Sequence, residues 1–357
     1  MSQELQLNLH TIQRTSGGGL NFVANLAAAL LDVAHSHEHV VLRGSHDSVS
    51  AVLDSQGRSQ PSEVPYASSG AVNLFPGTVV SRPSSGKVVW WPLNVAPLEP
   101  ETVRHSSTDL QSTLRYRLLK YRLAYTATRC DAAIFGSEYA RSLYLSSFKS
   151  LRKLPTVVIS GGAPSLGTLI SRWKGEESRK ILAVAHMYPY KRLEELFEAF
   201  LGSRARVDGF ELVVAGKEAD RIYARRLQEI AAKSEGSIRL LGNINQVELA
   251  REYESARLFV ITSSSENAGS FTLFDAFAFG VPVICSSLSS LPEFGRNNVR
   301  YVNPKDVSDI RTAIDDVVLD SAEQRRLSSL SLARADDVTT WPERGRRCLD
   351  FVESELL

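Results

Sequence analysis

The chain is 357 residues long, enough for two domains of ordinary size, each with a core of its own. Its 41 basic and 40 acidic side chains nearly cancel, which leaves no electrostatic reason to expect nucleic-acid binding. Cys130, Cys285 and Cys348 lie in apolar or helical surroundings and read as reduced thiols, the first residues lack the basic and apolar regions of a signal peptide, and nothing approaches the ~18 apolar residues of a membrane span. A cytoplasmic protein is the expectation, with peripheral contact at the inner face of a membrane left open.

In chain order, residues 5–9 alternate like a first strand and enter Thr15-Ser-Gly17-Gly18-Gly19-Leu-Asn21, followed by an amphipathic helix over 22–33. A glycine loop between strand and helix lets a ligand or another part of the chain approach the backbone closely. It serves equally as a tight turn, because the pattern is neither a P-loop nor Gly-x-Gly-x-x-Gly. His35, His37 and His39 alternate; with no second ligand cluster they read as a solvated turn before a strand at 40–42 rather than a metal site. Residues 46–87 are rich in Ser, Gly and Pro and predict loops with only short strands, such as 78–80.

A buried strand over 87–91 ends in Pro92-Leu-Asn94, where Trp91 offers a stacking face or a core ring and Asn94 a polar contact. Leu114, Leu118, Tyr121 and Tyr125 mark the buried stripe of a long helix. The flanking Arg115, Arg117, Lys120 and Arg122 form either a solvated face or a dock for an anionic lipid-linked acceptor or a membrane surface. A strand follows at 131–135, a helix capped at Ser137, and a strand at 156–159; residues 164–178, with Pro, Gly, Ser and charges, read as a linker.

The α/β rhythm then restarts. A strand at 181–185 leads into His186-Met-Tyr-Pro-Tyr-Lys191 and a helix over 192–200; a strand at 210–215 ends in Gly216-Lys217, and one at 238–241 in Gly242-Asn243-Ile244. A buried strand at 256–261 opens the most informative stretch, Thr262-Ser-Ser-Ser-Glu266-Asn267-Ala268-Gly269-Ser270-Phe271-Thr272. A short helix carrying Leu273, Phe274 and Phe277 follows, stopped by Gly280, before a strand at 281–285. Parallel α/β folds bind ligands outside the carboxyl ends of strands, against helix N-termini. Amides there suit a phosphate, and the carboxylates Glu266 and Asp275 suit hydroxyl groups, so the pattern fits a ligand that is part phosphate and part sugar. Thr272 and Asp275, three apart, equally fit a helix capping box.

Glu266, then Asp275-Ala-Phe-Ala-Phe-Gly280-Val-Pro-Val, resembles the signature of the family-4 retaining glycosyltransferases: a Glu, a short glycine-containing loop, then Glu-Ala-Met-Ala-x-Gly-x-Pro-Val. Asp stands in place of the second Glu, and eight residues separate the two acids, one more than the family spacing. The resemblance extends over nearly the whole chain. It implies an α/β protein of GT-B fold, with two Rossmann-like parallel domains facing a cleft. The first would span 1–165, rejoined by a C-terminal helix over 340–357 that crosses back to it, and the second 166–339.

The resemblance also implies roles. Lys191 matches a family cation on the donor diphosphate, and His186 stands where an Arg is expected, charged only when protonated. Glu266, with the amides of Asn267, Ala268, Gly269 and Ser270, would hold the donor sugar, beside Phe271 and Thr272; Asp275 would hold the ribose. Asn243 and Ile244 sit where relatives stack the base, Gly18 and Gly19 where relatives approach the nucleotide sugar, and Asn94 and Trp91 on the acceptor side, where relatives often carry a His. No two of the sixteen Asp residues lie two apart, so the Asp-x-Asp metal clamp of the other major glycosyltransferase fold is missing, and no metal or cofactor is expected. The implied reaction is retaining transfer of a sugar from a nucleotide-diphosphate sugar to the hydroxyl of a glycan or lipid-linked acceptor, in glycan, glycolipid or polysaccharide synthesis. Two rivals remain: a non-catalytic GT-B subunit that scaffolds a partner transferase, and a sugar-nucleotide epimerase on the same fold.

Overall fold

The computed structural model describes residues 3–9, 18–34, 38–43, 72–77, 80, 86–106, 109–160, 166, 169–171, 173–268 and 270–356. The chain divides into two compact units, one of Met1–Val103, Asp109–Gly161 and Thr339–Leu357, the other of Gly162–Val338 with Arg104–Thr108.

The first unit is built on six parallel strands, β1 (Gln3–Asn8), β2 (Glu38–Arg43), β3 (Val72–Pro76), β4 (Lys87–Trp91), β5 (Ala132–Phe135) and β6 (Thr156–Val158), in the order β2-β1-β3-β4-β5-β6. Strand β3 was not among the expected elements. Five residues bounded by turn-forming ones give too short a run to show a period, yet all five are buried between β1 and β4. The proposed strand residues Thr78 and Val79 lie outside the described residues, as do His35 and His37; His39 is in β2.

The C-terminal helix Trp341–Leu356 packs on the helix Gly18–Val33 within this unit. Gly345 makes that possible, since a Cβ there would stand 2.9 Å from the carbonyl oxygen of Ala29. Phe22 meets Trp91 and Trp341 edge-on, with ring centroids 5.2 and 5.7 Å apart. Arg344, 1% exposed, lies over the Trp341 ring at 4.5 Å, and burial pulls its guanidinium down to about 9.

One expectation is reversed. The helix Leu110–Ala127 buries Leu123, Thr126 and Ala127, while Leu114, Leu118, Tyr121 and Tyr125 face outward. This helix has two apolar faces. The inward one is made of Leu123 and small residues that let it sit close, with Ala127 accepting from Ser150 Oγ at 2.8 Å.

The second unit repeats the architecture with β7 (Lys180–Val184), β8 (Glu211–Ala215), β9 (Ile238–Gly242), β10 (Leu258–Ile261), β11 (Val283–Ser286) and β12 (Arg300–Val302), all parallel, in the order β12-β11-β10-β7-β8-β9. From the edge at β9 this is the 3-2-1-4-5-6 order of a doubly wound Rossmann sheet, so the strand order reverses between β7 and β10. Each face of the sheet has a closed apolar core. One holds Phe197, Phe200, Leu212, Val214 and Ile314, and the other Phe259, Phe274, Phe277 and Phe279. All three cysteines are buried and unbonded; burial pushes the Cys130 and Cys348 thiols up to about 12, so they act as packing groups. No helix among the described residues is long and apolar enough to cross a membrane.

Candidate functional site

A doubly wound sheet offers its binding crevice at the carboxyl ends of the strands where their order reverses. In the second unit that point lies between β7 and β10, and each strand runs directly into a loop holding a chemically prominent residue. Lys191 follows β7 and Glu266 follows β10; Lys191 Nζ lies 2.5 Å from Glu266 Oε1, with the two side chains only 16% and 12% exposed. The cation and the carboxylate expected from the sequence therefore form one ion pair. The charge also sits 5.2 Å from the centroid of the Tyr190 ring.

The loops are fastened together by the serine run, which the sequence left as a polar loop. Thr262 Oγ1 donates to the Lys191 carbonyl at 2.9 Å, and the Ser264 amide and hydroxyl both donate to the Tyr190 carbonyl. Thr262, Ser263, Ser264 and Ser265 are all buried, so they hold the loops rather than face a ligand. Ser289 and Ser290, after β11, donate to the Glu266 carbonyl at 2.8 and 2.9 Å, and the Glu266 amide donates back to Ser289 Oγ. Two non-glycine residues beside the ion pair adopt left-handed backbone: Arg192 at φ 53° and Ser289 at φ 59°. Such strain persists where surrounding structure enforces it, and it gathers at functional sites. Arg192 is held by its bond to Glu195 at 2.6 Å.

His186 stands at the same end of the sheet but not as the expected cation. Its Nδ1 accepts the Lys217 amide at 3.3 Å. Burial, with the Lys217 and Lys191 charges adding to it, lowers its pKa to about 4. The imidazole is therefore neutral at physiological pH, with the proton on Nε2. The cation that shares this corner is Lys217, which the sequence reading passed over. It is carried on Gly216, where φ is 150° and a Cβ would lie 2.0 Å from the Ala185 carbonyl oxygen. The signal was present as Gly-Lys directly after a buried strand.

The helix Phe271–Phe279 begins at Ser270, which makes no side-chain cap, and it ends at Gly280 in left-handed geometry, as the sequence implied. The amides of Phe271 and Thr272 form its first turn, the positive end of the helix dipole. Asn267, Ala268, Phe271 and Thr272 are half-buried around this start, and Gly269 lies outside the described residues. Asp275 departs from both of its sequence readings. It sits beyond the third helical position, so no capping box forms with Thr272. It is 1% exposed, and its Oδ1 accepts the Leu166 amide at 3.2 Å. The carboxylate that was expected to meet a ribose is turned into the protein, where it anchors the segment entering this unit.

Asn243 is exposed and Ile244 half-buried in the loop after β9, between Gly242 and a helix Gln246–Ser255 that Asn245 and Glu248 close with a reciprocal capping box. The remaining candidates belong to the first unit. Gly18 and Gly19 are not loop residues but open the helix Gly18–Val33. Trp91 is a core ring at 0% exposure, which removes it as a stacking platform. Asn94 shapes its own turn, its Oδ1 accepting the Ala96 amide at 3.0 Å and its carbonyl accepting the Tyr144 hydroxyl at 2.6 Å.

Comparison with known proteins bears on the fold and on the second unit. Residues 171–331, which include Lys191, Lys217, Glu266 and Asp275, match the family described as Glycosyl transferases group 1. Among curated proteins, the O-antigen chain mannosyltransferase B of Escherichia coli is 30% identical over 161 residues, 43% of this chain; the match spans only 40% of the relative. Among solved structures, a sucrose-phosphate synthase from Thermosynechococcus elongatus superposes with a TM-score of 0.71 at 15% identity, covering 99% of this chain and 98% of that one. Anabaena HepE in complex with UDP-glucose gives 0.71 at 13% identity, covering 98% and 99%. The fold is GT-B, and the match to the Glycosyl transferases group 1 family lies within the second unit.

Proposed function

We propose that this protein is a retaining glycosyltransferase of family 4 that moves a hexose from a nucleotide-diphosphate sugar to a hydroxyl of a growing bacterial polysaccharide, without a metal. The observation that carries the reading is the Lys191–Glu266 pair at the reversal point of the sheet. The group 1 match and the O-antigen mannosyltransferase relative support the reaction class and a polysaccharide acceptor, and mannose is the first sugar to try.

As the bond from anomeric carbon to diphosphate oxygen breaks, negative charge builds on the leaving phosphate. Lys191, Lys217 and the amides at the start of the helix Phe271–Phe279 would neutralise it, since fixed donors aimed at developing charge cost no reorganisation. Glu266 would hold Lys191 in place and accept from the donor sugar's hydroxyls, and neutral His186 would donate from Nε2. The acceptor hydroxyl attacks on the face the diphosphate leaves, and its proton passes to a leaving phosphate oxygen. The anomeric configuration is thereby kept.

A second reading draws on two observations. His186 is neutral where the family resemblance implies an Arg, and Asp275 is turned inward; both suit a subunit that binds nucleotide without turnover. Incubation with UDP- and GDP-sugars and a panel of mannose-containing oligosaccharides, with release of nucleoside diphosphate and product mass as readouts, separates the two. Nucleotide release that depends on the acceptor, abolished in Lys191→Ala, is the expected result. Nucleotide binding without release for any acceptor would favour the subunit.

A further inference from the structure

The outward face of the helix Leu110–Ala127 is unexplained by the transfer reading. Leu110, Leu114, Leu118, Tyr121 and Tyr125 are 77%, 58%, 49%, 69% and 42% exposed. They account for half of the large apolar side chains exposed among the described residues, so the pattern is not the ordinary scatter of single surface hydrophobics. At about 100° per residue they fall within an arc of roughly 80°, opposite the buried Leu123, Thr126 and Ala127. Exposed cations border the arc on both sides, Arg117 and Lys120 along one edge and Arg115 and Arg122 along the other. None of the helix's 18 residues is acidic.

We infer that this helix face lies on an anionic lipid bilayer, parallel to its plane. An apolar stripe of leucine and tyrosine with cations along both borders is the composition of an interfacial helix. The stripe enters the acyl boundary while the cations, on flexible apolar stems, reach the headgroup phosphates. Tyrosine suits that boundary because its ring is apolar and its hydroxyl stays wet. The charges also argue against a second copy of this chain as the occupant. A two-fold contact would bring like rows of arginine and lysine together around the stripe with no carboxylate on either helix to offset them. The inference is independent of the transfer reading and would stand if the protein proved non-catalytic.

The test uses the full chain and sedimentation with two kinds of vesicle, phosphatidylcholine alone and a mixture in which about a third of the lipid is anionic phosphatidylglycerol. The wild type should sediment with the mixed vesicles, remain in solution with the neutral ones, and be released as salt rises to about 1 M, where screening is nearly complete. Leu114→Ser combined with Leu118→Ser should weaken partition at least about tenfold, with the melting curve unchanged because both side chains are exposed. Replacing Arg115, Arg117, Lys120 and Arg122 by Gln should weaken it at least about a hundredfold, each cation near the surface being worth about fivefold. Failure of the wild type to bind the mixed vesicles overturns the proposal without reference to any variant. So do serine variants that partition like the wild type, or light scattering that shows a wild-type dimer which the serine changes make monomeric.

Discussion

Lys191 and Glu266 are separated by 75 residues in the chain and by 2.5 Å in space, joined by a salt bridge that each reaches from a different strand end. An unpaired loop lysine would be lost with little effect on the fold. The pairing changes that expectation. Removing one partner of a largely buried pair strands the other charge, which costs stability as well as chemistry. Lys191→Ala is expected to lower transfer by about 10²–10³ and also to lower the melting temperature. Lys191→Met combined with Glu266→Gln should recover part of the stability but none of the activity. A double-mutant cycle on thermal unfolding is expected to give a coupling of about 0.5–3 kcal/mol, and additive losses would dissolve the pair.

His186 should titrate far below an ordinary histidine, at about 4. Because its folded pKa is depressed, the unfolded chain takes up the proton first. Stability is therefore lost as pH falls from about 6.5 toward 4 and is untouched above that window. Imidazole signals followed by NMR across roughly pH 3–8 should show the low midpoint, and Lys217→Met should raise it. His186→Asn should remove the acid-side loss of stability attributable to this residue. A midpoint near that of a free imidazole would mean that the ring is solvated and that Lys217 lies elsewhere.

Asp275 is expected to behave as a structural carboxylate. Asp275→Ala leaves the Leu166 amide without its acceptor in a buried place, a loss of about 1–3 kcal/mol in chemical unfolding. A donor with 2′-deoxyribose should bind the wild type as well as the ribose compound does, because the carboxylate faces inward. Calorimetry that finds the deoxy donor weaker, and equally weak toward Asp275→Ala, would return the ribose to this residue.

Gly216→Ala should be poorly tolerated. The new Cβ would stand 2.0 Å from the Ala185 carbonyl oxygen at a backbone angle that side chains seldom adopt, so β7 and β8 must part where they present His186 and Lys217. A loss of at least about 1–3 kcal/mol is expected from the strain. The nucleotide-diphosphate affinity should fall with it, read by calorimetry well below the melting temperature. An alanine variant of wild-type stability and affinity would show that the strand ends are free to move.

Much of the second unit is legible in the chain alone, because its signals are local. The apolar runs of β7, β8 and β10 are long enough to show buried strands, Gly280 stops its helix in the only geometry that suits it, and Lys191 and Glu266 stand out as charges at strand ends. Strand order, which makes those two ends neighbours, is not given by that rhythm: the first sheet runs β2-β1-β3-β4-β5-β6, whereas the second places its first strand, β7, between β8 and β10. What else only the tertiary structure decided concerns side chains with two compatible environments. The helix Leu110–Ala127 has apolar residues on two faces, and its own period cannot say which one the sheet takes; packing selected Leu123 with its small neighbours and left the leucine-tyrosine stripe outside. Asp275 could face a ligand or the protein, and a backbone amide 109 residues earlier in the chain settled its direction. His186 could carry a charge or not, and that depended on burial and on a lysine brought beside it from another strand. Periodicity is a property of neighbours along the chain, whereas burial, orientation and protonation depend on atoms that only folding brings close.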